Sequence, residues 1–212
     1  MEYLQTVNEL IQKGKSKDIQ LAVKEALDSG VSAADILNKA MIPAMEVIGS
    51  KFKSGEIFVP EVLISARAMN KGTEILRPAL LKEGVKPIGK AIICTVKGDL
   101  HDVGKNLVKM MLEGVGIECI DLGVDVDGKK VVEAVKSSGA ALVCLSALLT
   151  TTMANQKEII DSLVAAGIRN KVKVMVGGAP LTSEFAEKIG ADAFTADAAS
   201  AAEVAKKFCL NQ

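Results

Sequence analysis

Residues 91–104 read Ala91-Ile92-Ile93-Cys94-Thr95-Val96-Lys97-Gly98-Asp99-Leu100-His101-Asp102-Val103-Gly104. The first six are apolar or β-branched and run without alternation, the pattern of a strand buried on both faces. The next eight are mostly polar, punctuated by glycine, and carry the only histidine of the 212 residues. Working outward, similar short runs recur at Ile117 to Leu122, Ala141 to Leu145, Val172 to Val176 and Ala193 to Thr195. Amphipathic segments separate them at Lys105 to Gly114, Lys129 to Ser137, Thr152 to Ala166 and Thr182 to Ile189, and Ala198 to Cys209 follows the last. Strict alternation of strand and helix implies a doubly wound, five-stranded parallel sheet with helices on both faces.

Upstream, the period changes. Glu83 to Gly89 holds two glycines and Pro87 and reads as a short connector. Before it, apolar residues recur at helical spacing, with Leu4, Val7, Leu10 and Ile11 in one stripe and Ile19, Val23, Ala26 and Leu27 in the next. Gly30 is placed to end the second helix, and Ser32-Ala33-Ala34-Asp35 offers a capping box for a third. In that third helix Ile36, Leu37, Ala40, Ala44, Val47 and Ile48 are expected inward, with a kink at Pro43. A fourth starts with Pro60 in first position and runs through Leu63, Ala66, Met69, Thr73 and Leu76. The expected organisation is a four-helix bundle over residues 1–86, then an α/β domain over 87–212.

Composition narrows the function. Lys and Arg total 26 and Asp and Glu total 26, so no basic surplus points to nucleic acid or an anionic membrane. The start, Met1-Glu2-Tyr3-Leu4-Gln5, is no signal peptide, and no apolar run approaches the ~20 residues of a membrane span, so a cytoplasmic protein is expected. The four cysteines form no C-x-x-C pair, and three sit in apolar runs where a thiol acts as a small hydrophobe. Cys94, Cys119 and Cys144 are evenly spaced, at about one strand-helix-strand period.

Parallel sheets of this kind bind ligands at the carboxyl ends of their strands. Three loops are therefore expected on one rim: Lys97 to Gly104, Ser146 to Thr152, and Gly177-Gly178-Ala179-Pro180. One imidazole excludes a multi-histidine zinc site. Asp99, His101 and Ser146 are a conceivable hydrolytic triad, yet no G-x-S-x-G elbow is present. A phosphoryl-accepting receiver needs an aspartate after the third strand, where residues 146–152 hold no acid, and neither phosphate-loop fingerprint occurs. Asp99 two residues before His101 suits a metal ligand whose other ring nitrogen is oriented by a carboxylate.

Asp99-x-His101-x-x-Gly104, followed by Ser146-x-Leu148 and then Gly177-Gly178, resembles the signature of methyltransferase-associated corrinoid (cobalamin-binding) proteins. Gly55-Glu56-Ile57-Phe58-Val59-Pro60-Glu61 resembles the cap segment of that family, so the likeness spans nearly the whole chain. It is closest to the free-standing corrinoid proteins of methylamine, methanol, betaine and methoxy-compound methyltransferase systems. The resemblance implies a helical cap before a flavodoxin/Rossmann-like sheet, and a cofactor cycling between methylcobalamin and cob(I)alamin, bound base-off with His101 on the cobalt. By the same resemblance Asp99 bonds the distal nitrogen of His101 and Thr152 extends the relay, helix N-capping being the alternative role for Thr152. Gly98, Asp102, Val103 and Gly104 belong to the ligand loop, Ser146, Leu148, Gly177 and Gly178 are expected to line the slot for the nucleotide tail, and Thr150 is a further cofactor-binding residue. Phe58, Val59, Leu63 and Met69 are candidates to cover the upper corrin face, or else plain bundle core. The implied partners are a donor-specific methyltransferase, an acceptor methyltransferase using tetrahydrofolate or coenzyme M, and a reductive activator of cobalt. A cobalamin-dependent sensor is the alternative, although no basic recognition helix is visible.

Overall fold

The computed structural model describes residues 2–211, which fall into two compact units. The first ends at Pro87 and takes in Gly114–Gly116; the second holds Ile88–Glu113 and the chain from Ile117 onward.

In the helical unit, α1 (Glu2–Gln12) packs on α2 (Asp18–Asp28) and α4 (Ile42–Lys53), and α5 (Val59–Lys82) packs on the same two. Val7, Ile11, Ile19, Val23, Met41, Met45 and Leu76 are buried among them. Gly72 makes room in α5, since a Cβ there would stand 2.9 Å from Met41 Cε and 3.1 Å from Ile19 Cγ1. The third helix of the sequence reading is broken into α3 (Ala33–Ile36), a π-helical turn (Leu37–Met41) and α4. Pro43 has no N–H to give the preceding turn, and the wider turn absorbs the defect where a kink was expected. Asn8 Nδ2 donates to the Ala40 carbonyl at 2.9 Å. Adding one residue to the turn advances the helix phase, so Met41 and Met45 point inward and Val47, expected inside, is exposed. At the start of α3, Ser32 Oγ accepts from Asp35 N at 3.1 Å, while the Ala33 and Ala34 amides are held by the Glu83 carboxylate at 2.8 and 3.0 Å. Asp35 pairs instead with Lys39, so only half of the expected capping box forms. Glu61 reaches back to the Phe58 amide to start α5 (3.0 Å), with Val59 before Pro60 in its first turn.

The second unit alternates β1 (Gly89–Thr95), α6 (Val103–Gly114), β2 (Ile117–Asp121), α7 (Gly128–Ser138), β3 (Leu142–Ser146), α8 (Ala154–Ala165), β4 (Lys173–Gly177), α9 (Ser183–Ile189), β5 (Ala193–Phe194) and α10 (Ala198–Leu210). All four strand pairings are parallel, in the order β2-β1-β3-β4-β5. Ile92, Cys94, Val143, Leu145, Val174 and Val176 pack with α7, α8 and α9 on one face. The alternate residues Ala91, Ile93, Leu142, Cys144 and Met175 are equally buried and point to the other face, where α10 packs on β3. Right-handed crossovers put α6 on that face too, because β1 to β2 runs along the sheet opposite to the later connections. Fold class and element order agree with the sequence reading, and the boundaries shift by one or two residues. Ser146 and Gly177 are the last residues of their strands rather than the first of loops, and Val103 and Gly104 lie in the first turn of α6. No helix among the described residues is long and apolar enough to cross a membrane.

Candidate functional site

The sheet order reverses between β1 and β3, which lie side by side while their following connections leave in opposite directions. That divergence opens a crevice at the carboxyl ends of the strands. Thr95, Ser146 and Gly177 stand in one row across it, Thr95 opposite Ser146 and Ser146 opposite Gly177. The Ser146 side chain points to the α6 and α10 face, by alternation with buried Leu145 on the other. Beyond the row, Gly178 adopts φ +141°, and a Cβ there would overlap the Ala147 carbonyl, so the β3 and β4 ends approach as only glycine permits.

Past Val96, which forms a single parallel β-bridge with Val126, the chain from Lys97 to Asp102 has no regular structure, and its shape is set by hydrogen bonds from all sides. Gly98 takes φ +78°. Asp99 N donates to Val96 O at 3.1 Å, and the buried Thr95 hydroxyl donates to the His101 carbonyl at 2.8 Å. Asp99 is the centre. Its side chain is 0% exposed, and its carboxylate accepts four hydrogen bonds: Oδ1 from His101 N (3.0 Å) and His101 Nδ1 (2.8 Å), Oδ2 from Leu148 N (2.8 Å) and Thr152 Oγ1 (2.7 Å). Burial disfavours the charged form, but the Thr152 hydroxyl, the His101 and Leu148 amides and the His101 ring outweigh it and hold the carboxyl well below the usual carboxylate range. An ionised carboxylate only accepts, so the proton between the two groups sits on Nδ1. In the neutral ring this leaves the lone pair on Nε2, and the imidazole is 52% exposed.

Thr152 lies two residues before α8 and its hydroxyl, with one proton, sits 2.7 Å from Asp99 Oδ2 and 3.1 Å from Leu149 O, the shorter bond to the charged oxygen being the one it donates. This is the contact expected of a relay, and the N-cap position of α8 is held by Met153 rather than Thr152. Asp102 bonds Asn106 Nδ2 at 3.1 Å in the first turn of α6, and Thr150 is exposed in the turn before Thr152. Leu100, Val103, Leu148 and Leu149 flank the histidine in sequence and rim, and all four are exposed apolar side chains. In the helical unit Phe58 and Leu63 are exposed, Val59 is half-buried and Met69 is buried.

Several contributors were invisible to spacing. Besides Thr95, Asn155 Nδ2 holds the Lys97 carbonyl at 2.6 Å, and Asp125 Oδ1 accepts from Gly98 N at 2.7 Å. Gln156, fully buried, donates to Leu145 O (3.1 Å) and Gly177 O (3.2 Å), tying β3 to β4 beneath the rim; its Oε1 is buried without a partner. Lys105, 3% exposed, pairs with both Asp121 oxygens at 2.8 and 2.7 Å and with Asn106 Oδ1 at 2.8 Å, anchoring the first turn of α6 to the end of β2. The cysteines are chemically quiet: burial pushes Cys94 and Cys144 up to about 12 and raises Cys119 and Cys209.

Two family models match, each described as a B12 binding domain, one over residues 89–205 and the other over residues 3–77. Monomethylamine corrinoid protein 2 of Methanosarcina acetivorans is 44% identical over 93% of this chain and 93% of its own length. The trimethylamine corrinoid protein of Methanosarcina barkeri is 41% identical, over 96% of this chain and 97% of its own. Among solved structures, a chain of the methanol:cobalamin methyltransferase complex of Methanosarcina barkeri superposes with a TM-score of 0.88 at 30% identity, covering 100% of this chain and 81% of that one. At these identities over nearly its full length, with both B12 binding domains in order, the chain belongs to the corrinoid protein family of methyltransferase systems.

Proposed function

We propose that this chain holds a cobalamin through His101 Nε2 and carries a methyl group from a donor-specific methyltransferase to a second methyltransferase. The observation that carries the reading is the Asp99–His101 pair, which commits Nδ1 and leaves Nε2 as a half-exposed donor at the switch point of the sheet. With one imidazole in the chain and the Asp99 oxygens each taken twice, the site offers a metal one ligand, which fits an ion that arrives with the rest of its coordination sphere. When bound, cobalamin supplies the cobalt centre on which the methyl group rides.

The residues around it do the remaining work. Asp99 fixes the tautomer and orientation of the ring and raises its basicity as a ligand. Thr152 and the Leu148 amide keep Asp99 ionised, and a proton delivered to Nε2 removes the ligating lone pair. Leu100, Val103, Leu148 and Leu149 offer an apolar floor to a flat macrocycle, and Gly98, Asp102 and Gly104 shape the loop and helix start that carry His101. Ser146, Thr150, Gly177 and Gly178 are the residues we assign to the nucleotide tail, small side chains making room and hydroxyls bonding polar atoms. We assign the helical domain, residues 1–86, the role of a cap for the bound cofactor, the α/β domain, residues 87–212, that of holding it, and the Glu83–Gly89 connector that of a hinge. Tetrahydrofolate or coenzyme M is the acceptor of the second enzyme, and a reductive activator restores the cobalt after adventitious oxidation.

The test is His101→Gly in protein reconstituted with methylcobinamide, which carries no benzimidazole of its own: the native protein should show the visible spectrum of a nitrogen-ligated cofactor and the variant that of one without, and identical spectra would defeat the assignment. Incubating the reduced protein with candidate methyltransferases identifies the donor, methylamines first because the relatives are named for them.

A further inference from the structure

Lys97 O, Gly98 N and Asp99 O are three backbone groups of the ligand loop that are bonded from outside it. Two residues from elsewhere in the fold supply all three bonds. Asn155 Nδ2, in the first turn of α8, donates to Lys97 O at 2.6 Å. Asp125, in the turn between β2 and α7, accepts from Gly98 N at 2.7 Å through Oδ1 and donates its own amide to Asp99 O at 3.1 Å. Neither bonds the His101 ring.

Asp125 is also the only non-glycine with positive φ among the described residues, at +54°. A left-handed backbone is costly for an L-residue and persists where the surroundings over-determine it. Here they do. Asp121 receives Gly123 N at 2.9 Å while paired with buried Lys105, Gly123 O accepts from Thr95 N (3.0 Å), and Val126 N returns to Thr95 O (3.1 Å). The turn is pinned to β1 on both sides of Asp125, which leaves that residue to face the loop with amide and carboxylate together.

We propose that Asp125 and Asn155 are positioning residues, a two-sided clamp that holds Lys97 to His101 in the shape that presents the imidazole before cofactor binds. The inference rests on the reading that His101 ligates cobalt. An unclamped loop would have to lose its backbone freedom at the moment of ligation, so the clamp favours the ligated over the unligated state without touching either the ring or the metal.

The experiment uses the full chain labelled with 15N-histidine, reconstituted with hydroxocobalamin and reduced to Co(II), whose EPR signal shows the two-line 15N superhyperfine splitting only when the His101 ring is bound, the cofactor's own benzimidazole giving the three-line 14N pattern. A descending pH series gives the midpoint at which splitting is lost. Each net hydrogen bond is worth about a fivefold change in equilibrium, so Asp125→Ala and Asn155→Ala should each move that midpoint up by ~0.7 unit, and the double variant further. Asp125→Gly, which keeps the left-handed backbone but not the carboxylate, should behave as Asp125→Ala. Asp125→Asn, which keeps Oδ1, should behave as the native protein. A folded double variant with the native midpoint overturns the clamp, whatever its affinity for cobalamin. So does Asp125→Asn matching Asp125→Ala, which would assign the effect to charge. If the double variant does not fold by circular dichroism, equal midpoints for Asp125→Asn and Asp125→Gly overturn it instead. Absence of splitting in the native protein is a separate outcome that removes the His101 reading and the clamp with it.

Discussion

Replacing Asp99 by Asn changes one oxygen to an NH2 group and leaves size almost unaltered, yet the geometry allows no comfortable orientation. Each carboxylate oxygen receives a backbone amide, Oδ1 from His101 N at 3.0 Å and Oδ2 from Leu148 N at 2.8 Å. Whichever way the new amide turns, its NH2 is aimed at a main-chain N–H that cannot become an acceptor. Thr152 can rotate its hydroxyl to accept, and the imidazole can change tautomer, but the main-chain group stays unpaired against a side chain that is 0% exposed. Leaving one buried donor unsatisfied costs ~1–3 kcal/mol, and losing hydrogen bonds to a charge adds ~1.5–3 kcal/mol, for a total of about 4 kcal/mol. Domains of this size hold ~5–15 kcal/mol, so Asp99→Asn should fold while losing a large share of its margin. Native-state hydrogen exchange reads the effect at its source. Protection of the Leu148 or the His101 amide should fall by a factor of about 100 or more, and the urea midpoint of the α/β domain should drop by ~2 M at a slope of ~2 kcal/mol/M. Unchanged protection at both amides would refute the four-donor account of Asp99.

Thr152→Val removes the buried hydroxyl from Asp99 Oδ2 and should cost ~2 kcal/mol at neutral pH. Because the native Asp99 carboxyl lies below its unfolded value of about 3.9, this contribution is complete above that pH and disappears as pH falls through the native value; urea curves of the two proteins should therefore converge in acid. Lys105→Met leaves the Asp121 carboxylate with only the Gly123 amide and Lys109 at 3.6 Å and should cost ~1.5–3 kcal/mol, whereas Lys105→Met with Asp121→Leu should recover part of it; thermal melts that rank the double below the single would contradict the pairing. Gly178→Ala places a methyl group against the Ala147 carbonyl and should lower both the melting temperature and retention of cobalamin on desalting. Cys94 and Cys144, pushed up to about 12 by burial, should resist alkylation at pH 8 in the native protein and react in urea, as mass spectrometry of the labelled peptides would show.

The strands were legible because a doubly buried strand must be apolar along its whole length, and the ligand loop because a single imidazole stood between glycines at the end of one. Phase was less legible. Val47 fits the helical stripe through Ile36 and Ala40, and only the π turn that Pro43 provokes carries it outward and brings Met45 in. That turn depends on how the backbone relaxes around a missing N–H, which side-chain periodicity does not encode. The residues that shape the loop were harder still. An exposed nitrogen lone pair can come from few side chains, so His101 advertises itself; a backbone carbonyl or amide can be held by Asn, Asp, Thr, Gln or Lys, and none of these types is unusual on a surface.

Thr152 shows how a small boundary shift changes a role. Counted as the first residue of α8, its hydroxyl would accept from the helix amides, as Thr182 does for Phe185 N at 3.1 Å ahead of α9. With Met153 in the cap position, the same hydroxyl is a donor to Asp99 instead. The difference between accepting and donating is the difference between a helix start and a relay. It arises because the chain leaves β3 at Ser146 and has to pass Leu148 N over Asp99 before it can turn into α8. The carboxylate thus fixes two loops with its two oxygens, one to carry the ring and one to keep the ring's partner charged, and any substitution that frees either loop is expected to reach the other through Asp99.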